Sequence, residues 1–220
     1  KAVTEDELSA FVTGVQKIDP AAVFKVEYKF DGLTMCLTYE EGRFVRATTR
    51  GNGTEGEDVT AQALTVRSFP LAIPYRGTLE VRGEAVIRLP VLEEYNRTHP
   101  DEPLKNARNA AAGAIRNLDP KVTASRRPEI IFYDINYMSD APVSSQQEAV
   151  SRLREWGFQT FPYFRVCGSF DEVRAAVDEI EVGRKSLDVL TDGAVIKTDS
   201  EATRRLMGYT DKFPRWAIAY

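Results

Sequence analysis

Glu27, Lys29 and Asp31 stand at every second position of an otherwise apolar stretch, Val26-Glu27-Tyr28-Lys29-Phe30-Asp31-Gly32. At the two-residue period of a β-strand they share one face, while Val26, Tyr28 and Phe30 share the other. Ionisable groups in a row are costly to bury unless they are paired or line a cleft. A solvated charge ladder on a sheet surface is the plainer alternative, and the spacing leaves both open. Two further stretches share the peculiarity. Glu80, Arg82 and Glu84 alternate with Leu79, Val81, Gly83, Ala85 and Ile87, and Asp192-Gly193-Ala194-Val195-Ile196-Lys197 ends an apolar run in a lysine. If the three strands face one cleft, Lys29, Asp31, Arg50, Glu84 and Lys197 meet there with Glu27 at one end. A lysine beside other cations gives up its proton more readily, because a second positive charge disfavours the ammonium form. Such a lysine can be a nucleophile. Lys197 and Arg50 could serve that purpose and neutralise a phosphate, while Phe132 or Tyr133 could supply a flat platform for a base. These groups suit covalent attack on phosphorus better than hydride transfer or hydrolysis. The single histidine, His99, sits in a polar loop before Pro100 and forms no Ser-His-Asp set.

The elements that must position these groups are readable from period and punctuation. Thr4 with Glu7 forms a capping box, and Leu8, Phe11, Val12 and Val15 repeat at helical spacing over 5–17. Asp19-Pro20 ends that helix. The charged strand follows, then Gly32, a strand over 33–39, a turn at Glu41-Gly42 and a strand over 43–50. Pro90 introduces a short helix over 89–96, and the alanine- and asparagine-rich stretch 105–118 reads as turns or helix. Arg108 and Arg116 lie there roughly two turns apart; a solvated basic face is one reading of them. A buried strand covers 129–138. Ser145 and Glu148 cap a helix with Ala149, Val150, Leu153 and Trp156 inward, which Gly157 stops. A strand over 158–166 is expected next, then a helix capped by Ser169 and carrying Val173, Ala176, Val177 and Ile180. Antiparallel strands with inserted helices make an α+β fold.

Arg50-Gly51-Asn52-Gly53-Thr54-Glu55-Gly56 also satisfies G-x-G-x-x-G, with Glu80 at a plausible distance beyond. A dinucleotide-binding turn would use those glycines to bring backbone amides to a pyrophosphate. The pieces before it look like an antiparallel hairpin rather than a βαβ unit, so the loop is expected to close a hairpin and deliver Arg50. Both readings stay open at this point.

Composition narrows the class. A chain of 220 residues holds one sizeable core, and its net charge of −4 argues against a dedicated nucleic-acid-binding module. No apolar run reaches the roughly 18 to 20 residues of a membrane span, and no signal-peptide pattern opens the chain. Cys36 and Cys167 lie far apart, and one histidine cannot complete a zinc set. A reducing, cytoplasmic compartment is expected. The chain opens on Lys1 rather than Met, so a piece of something longer is expected as well.

Glu27-Tyr28-Lys29-Phe30-Asp31-Gly32 resembles the K-x-D-G nucleotidyltransferase motif of DNA ligases, RNA ligases and capping enzymes. Four more strings follow it in order: 50–60, Leu79-Glu80-Val81-Arg82-Gly83-Glu84, Asn106-Ala107-Arg108-Asn109-Ala110-Ala111-Ala112-Gly113 and Asp192-Gly193-Ala194-Val195-Ile196-Lys197. Pro214-Arg215-Trp216-Ala217-Ile218-Ala219-Tyr220 closes the set. Together they resemble the adenylation domain of bacterial NAD-dependent DNA ligases, from about residue 5 to the end; an ATP-dependent ligase would share the lysine chemistry, but the strings in the glycine loop and the alanine-rich stretch argue against it. The resemblance implies one nucleotidyltransferase (ATP-grasp-like) domain over 1–220, mainly antiparallel sheets flanked by helices. It implies that Lys29 attacks the α-phosphate of NAD to form a lysyl-AMP, which then passes to the 5′-phosphate of nicked double-stranded DNA. Glu27 would recognise the adenine amino group, Arg50 and Glu84 would hold the ribose, and Tyr133, with Phe132 as a rival, would stack on the base. Lys197 would stabilise the phosphate, Asp31 would support the later steps and Asp192 would lie close to the same phosphates. Mg2+ would be held mainly by phosphates, and Arg108 and Arg116 match positions that grip the DNA backbone. A monomer is expected. Asn52 stands where the family usually has Asp. The family's small nicotinamide-binding domain, its zinc, OB, helix-hairpin-helix and BRCT regions, and a lysine just past Tyr220 are not in this chain. By the same resemblance, this stretch alone is not expected to seal nicks.

Overall fold

A computed structural model describes residues 4–140, 142–209 and 214–220. The chain opens with α1 (Glu5–Ile18), whose N-terminus is held by the Thr4 hydroxyl accepting from the Glu7 N–H, with Glu5, Asp6 and Glu7 facing the positive end of the helix dipole. Leu8, Val12 and Val15 are its buried stripe. Then come β1 (Phe24–Phe30), β2 (Leu33–Glu40), β3 (Arg43–Thr49), α2 (Thr60–Ala63), β4 (Leu79–Val86) and α3 (Leu89–Thr98). α4 (Ala107–Arg116), α5 (Pro120–Arg126), β5 (Glu129–Met138), α6 (Gln146–Glu155) and β6 (Arg165–Cys167) follow. α7 (Phe170–Gly183), β7 (Thr191–Thr198), α8 (Glu201–Met207) and β8 (Ala217–Ala219) complete the described elements.

The strands form two four-stranded sheets, ordered β6-β1-β7-β8 and β3-β2-β4-β5, with every ladder antiparallel. Each sheet has its own core. α1 and α7 cover the first, where Leu8, Val12, Phe24, Val26, Val177 and Ile196 pack together. The second buries Met35, Leu37, Tyr39, Val81, Ile130 and Phe132 against Ala149 and Leu153 of α6. Val86, Ile131 and Val189, with Phe30 and Phe161, form a small cluster joining the two. Asp31-Gly32 carries the chain from one sheet to the other. A Cβ on Gly32 would lie 2.0 Å from the carbonyl oxygen of Ala85, so only glycine lets β1 turn into β2 across β4.

One expectation needs correction. The strand over 158–166 is absent except for β6, because Pro162 has no N–H to offer a ladder. Phe161 and Tyr163 instead pack edgewise or tilted on Tyr28 and Phe30. Trp156, the C-cap of α6, packs half-buried against the second core as expected and stacks on Tyr75. The G-x-G-x-x-G loop follows an antiparallel strand, and Asn52 Oδ1 caps it internally by accepting from the N–H groups of Thr54 and Glu55. Its return leg is tied to Thr49, and the helix beyond, α2, has four residues. It is no dinucleotide-binding βαβ unit. The 105–118 stretch resolves into α4, capped by Asn106 accepting from the Asn109 N–H. Phe213 lies outside the described residues.

Candidate active site

The charged faces of β1, β4 and β7 turn toward one cavity of about 410 Å³ between the sheets. Glu27, Lys29, Asp31, Arg50, Glu84, Arg108, Tyr133, Asp192 and Lys197 all line it. Arg116 does not; it pairs with Glu57 at 2.5 Å on the surface. The structure therefore brings together all the residues singled out for catalysis and nucleotide contact, and one of the two arginines singled out for DNA.

Two β-bulges set the detailed aim. Opposite β1, Tyr28 faces Ala194 and Phe30 faces Thr191, so Asp192 and Gly193 together oppose Lys29. Gly193 takes φ +138°, and a Cβ there would meet the carbonyl oxygen of Tyr220 at 2.2 Å. The bulge brings the Asp192 carboxylate to Lys29, whose Nζ donates to Oδ2 at 2.9 Å. Both side chains are about two-fifths exposed, 41% and 39%. Such a pair is worth about 1 kcal/mol or less, so an incoming phosphate can break it.

On β5, Phe132 opposes Gly83 and Asp134 opposes Arg82, leaving Tyr133 as the extra residue. Phe132 is 1% exposed and packs edge-on against Phe69 and Phe158 in the core. Tyr133 is turned into the cavity, with the Lys197 ammonium 4.6 Å from its ring centroid. Burial raises the Tyr133 hydroxyl above its usual range. Of the two aromatics that the sequence leaves as alternatives, Tyr133 is the one whose ring a ligand in the cavity can face.

Electrostatics divide the cleft. Glu84 accepts from the Thr34 hydroxyl at 3.1 Å, across the β2–β4 ladder. Burial pushes its carboxyl up to about 7, against the hydrogen bond from Thr34 and the charge of Lys29, and Asp31 and Asp192 add to the rise. Glu27 goes the other way. Burial would raise it, but the Lys197 and Lys25 ammonium groups at 2.5 and 3.1 Å outweigh that and hold it below the ordinary carboxylate range. Asp31 lies 3.4 Å from Arg108 Nε, and Arg50 stands exposed just past β3, its N–H donating to the Thr34 carbonyl.

Lys25 was missed by the sequence reading. It lies on the same alternating face two positions before Glu27, it lines the cavity, and it is 1% exposed. The alternation could have found it had the charged row been started one step earlier. Trp216 also lines the cavity and is packed under the guanidinium of Arg204, 3.5 Å from its ring centroid.

A polar cleft between two antiparallel sheets, with a lysine on an inner strand, defines an α+β two-sheet class. A solved structure titled "Pmar-Lig_Pre." shares that fold with a TM-score of 0.50 at 10% identity, covering 86% of this chain and 42% of that one. The family described as NAD-dependent DNA ligase adenylation domain matches residues 1–220, and the chain belongs to it. A DNA ligase of Finegoldia magna is 52% identical over 201 residues, which is 91% of this chain and 30% of that protein. A DNA ligase of Alkaliphilus metalliredigens is 44% identical over 223 residues, covering 100% of this chain and 34% of the relative. The chain thus spans about a third of the length of the relatives it matches.

Proposed function

We propose that this chain is the adenylate-forming domain of a longer NAD-dependent DNA ligase, with Lys29 as its nucleophile. The observation that carries the reading is the convergence of Lys29, Asp192, Lys197, Glu27, Glu84, Arg50 and Tyr133 on one cavity. Lys29 releases its proton to water, and its neutral nitrogen bonds to the α-phosphorus of NAD. The bond from that phosphorus to the bridging oxygen breaks, and nicotinamide mononucleotide leaves with the electron pair. Lys197 and Arg50 offset charge on the phosphate. The Tyr133 ring takes the adenine face, Glu27 accepts from its amino group, and Arg50 and Glu84 hold the ribose. In the whole protein the AMP passes to the 5′-phosphate of a DNA nick, and the 3′-hydroxyl displaces it. Asp31 and Asp192 assist at those phosphates, and Arg108 and Arg116 grip the nicked duplex.

Among the described residues no group of three or more His, Cys, Asp or Glu side chains could hold a metal ion. In this proposal Mg2+ is bound largely by the phosphates, and the steps above rest on the chain's own residues. Action as a monomer is part of the same proposal. No helix among the described residues is long and apolar enough to cross a membrane. A place in the bacterial cytoplasm is proposed with the ligase reading.

Calorimetric titration with AMP, NAD and GMP side by side tests the pocket. Similar binding of AMP and NAD without binding of GMP is expected; NAD far above AMP would place nicotinamide recognition here and undo the assignment. In the full-length protein, intact-mass measurement after incubation with NAD and Mg2+ should show one adenylate per chain, lost in Lys29→Ala.

A further inference from the structure

Lys25 and Lys197 stand directly opposite one another on β1 and β7 and share one carboxylate. Lys197 Nζ lies 2.5 Å from Glu27 Oε1, and Lys25 Nζ lies 3.1 Å from Oε2. The Lys197 ammonium also covers the Tyr133 ring, while Lys25 sits 5.1 Å from the ring centroid of Phe164. In the resting cleft, then, one lysine occupies both groups assigned above to the adenine. Adenine can reach them only if Lys197 leaves, and the phosphate is where that lysine is wanted.

The departure has an electrostatic condition. If Lys197 were the sole partner of Glu27, its exit would strand an unpaired carboxylate in a nearly dry site, at a cost of several kcal/mol or the uptake of a proton. With Lys25 present the resting cluster carries a net positive charge, and the pair that remains is neutral. Losing one cation from a positive trio is far easier than splitting a neutral pair. We propose that Lys25 is a positioning residue that keeps Glu27 ionised and in place while Lys197 leaves it for the nucleotide phosphate. This rests on the nucleotide reading of the cleft. The groups facing Glu27 are Lys25 from its own strand, Lys197 from β7 and Tyr133 from β5, with Arg82, Glu84 and Asp134 acting on that tyrosine.

The test is proton linkage, measured by titrating AMP into the chain in buffers of different ionisation enthalpy between about pH 6 and pH 8. Lys25→Met should bind AMP with uptake of about one proton more than the unaltered chain, and its Kd should rise by up to about tenfold per pH unit. Lys25→Arg, which restores the charge, should show neither effect. A Lys25→Met variant with unaltered affinity, or weakened equally at every pH with no added proton, would overturn the proposal. Failure of Lys25→Arg to restore binding would do the same, since packing alone would then explain the loss. Lys197→Met supplies a measurement independent of how Lys25 variants fold. With Lys197 gone and Lys25 still neutralising Glu27, adenosine should bind more tightly than to the unaltered chain, without proton uptake. Weaker adenosine binding, or an added proton, counts against the idea. Absence of AMP binding by the unaltered chain would instead refute the nucleotide reading itself, and the inference with it.

Discussion

Replacing Glu84 by glutamine isolates the electrostatic cost of the cleft. Burial lifts the Glu84 carboxyl from 4.5 to about 7. Folding therefore favours its protonated form, and the penalty of carrying the ionised form is absent below about pH 4.5, grows through the interval and is complete above about pH 7. A gap of that size corresponds to about 3 kcal/mol at most, and partial solvation of the cleft makes about 2 kcal/mol a fair expectation. Glutamine keeps the shape and can still accept from the Thr34 hydroxyl, but has no charge to bury. Glu84→Gln should match the unaltered chain at pH 5 and exceed it by about 2 kcal/mol at pH 8, or roughly 4–8 °C in Tm for a domain of this size. Urea unfolding at both pH values, followed by the fluorescence of Trp156 and Trp216, reads this directly. Thr34→Val gives an internal check, because removing a hydrogen bond that lowers the carboxyl should move the pH midpoint higher still. Equal stabilisation by Glu84→Gln at pH 5 and pH 8, or destabilisation at pH 8, would refute the reasoning.

Gly32→Ala should abolish the native fold or cost several kcal/mol, since its Cβ would collide with the Ala85 carbonyl; an unchanged thermal melt would disprove that close approach. Phe132→Ala should cost about 3–5 kcal/mol as a core cavity, while Tyr133→Ala should leave stability within about 1–2 kcal/mol yet weaken AMP binding; chemical melts and titrations separate the two. Lys29→Ala should lose under about 1 kcal/mol of stability, because its pair with Asp192 is half-exposed, so that loss of the adenylate adduct can be read as chemistry. In the full-length protein, Arg108→Ala and Arg116→Ala should each reduce the salt dependence of binding to nicked duplex by about one unit of slope, as expected of phosphate contacts, while leaving AMP binding intact for Arg116.

What could be read from the sequence and what could not divide along one physical line. Alternation at period two is enforced by the strand backbone, so Glu27, Lys29 and Asp31 were bound to share a face, as were Glu80, Arg82 and Glu84. Helix caps at Thr4, Ser145 and Ser169 were equally legible, because each side-chain oxygen satisfies a specific backbone N–H. A bulge breaks the alternation by adding one residue, and its position depends on the partner strand, which the local sequence does not name. Hence Tyr133 could not be told from Phe132, and the approach of Asp192 to Lys29 was invisible apart from the glycine beside it. Lys25 was hidden for the opposite reason: a lysine deep in a strand is usually discounted as a core residue, and only the shared carboxylate of Glu27 makes its burial tolerable. The two bulges are also what convert ladders into a site. A regular β7 would carry Asp192 past Lys29, and a regular β5 would put Phe132 and Asp134 on one face and Tyr133 on the other. The chemistry of this cleft thus depends on two local departures from the periodicity that revealed it.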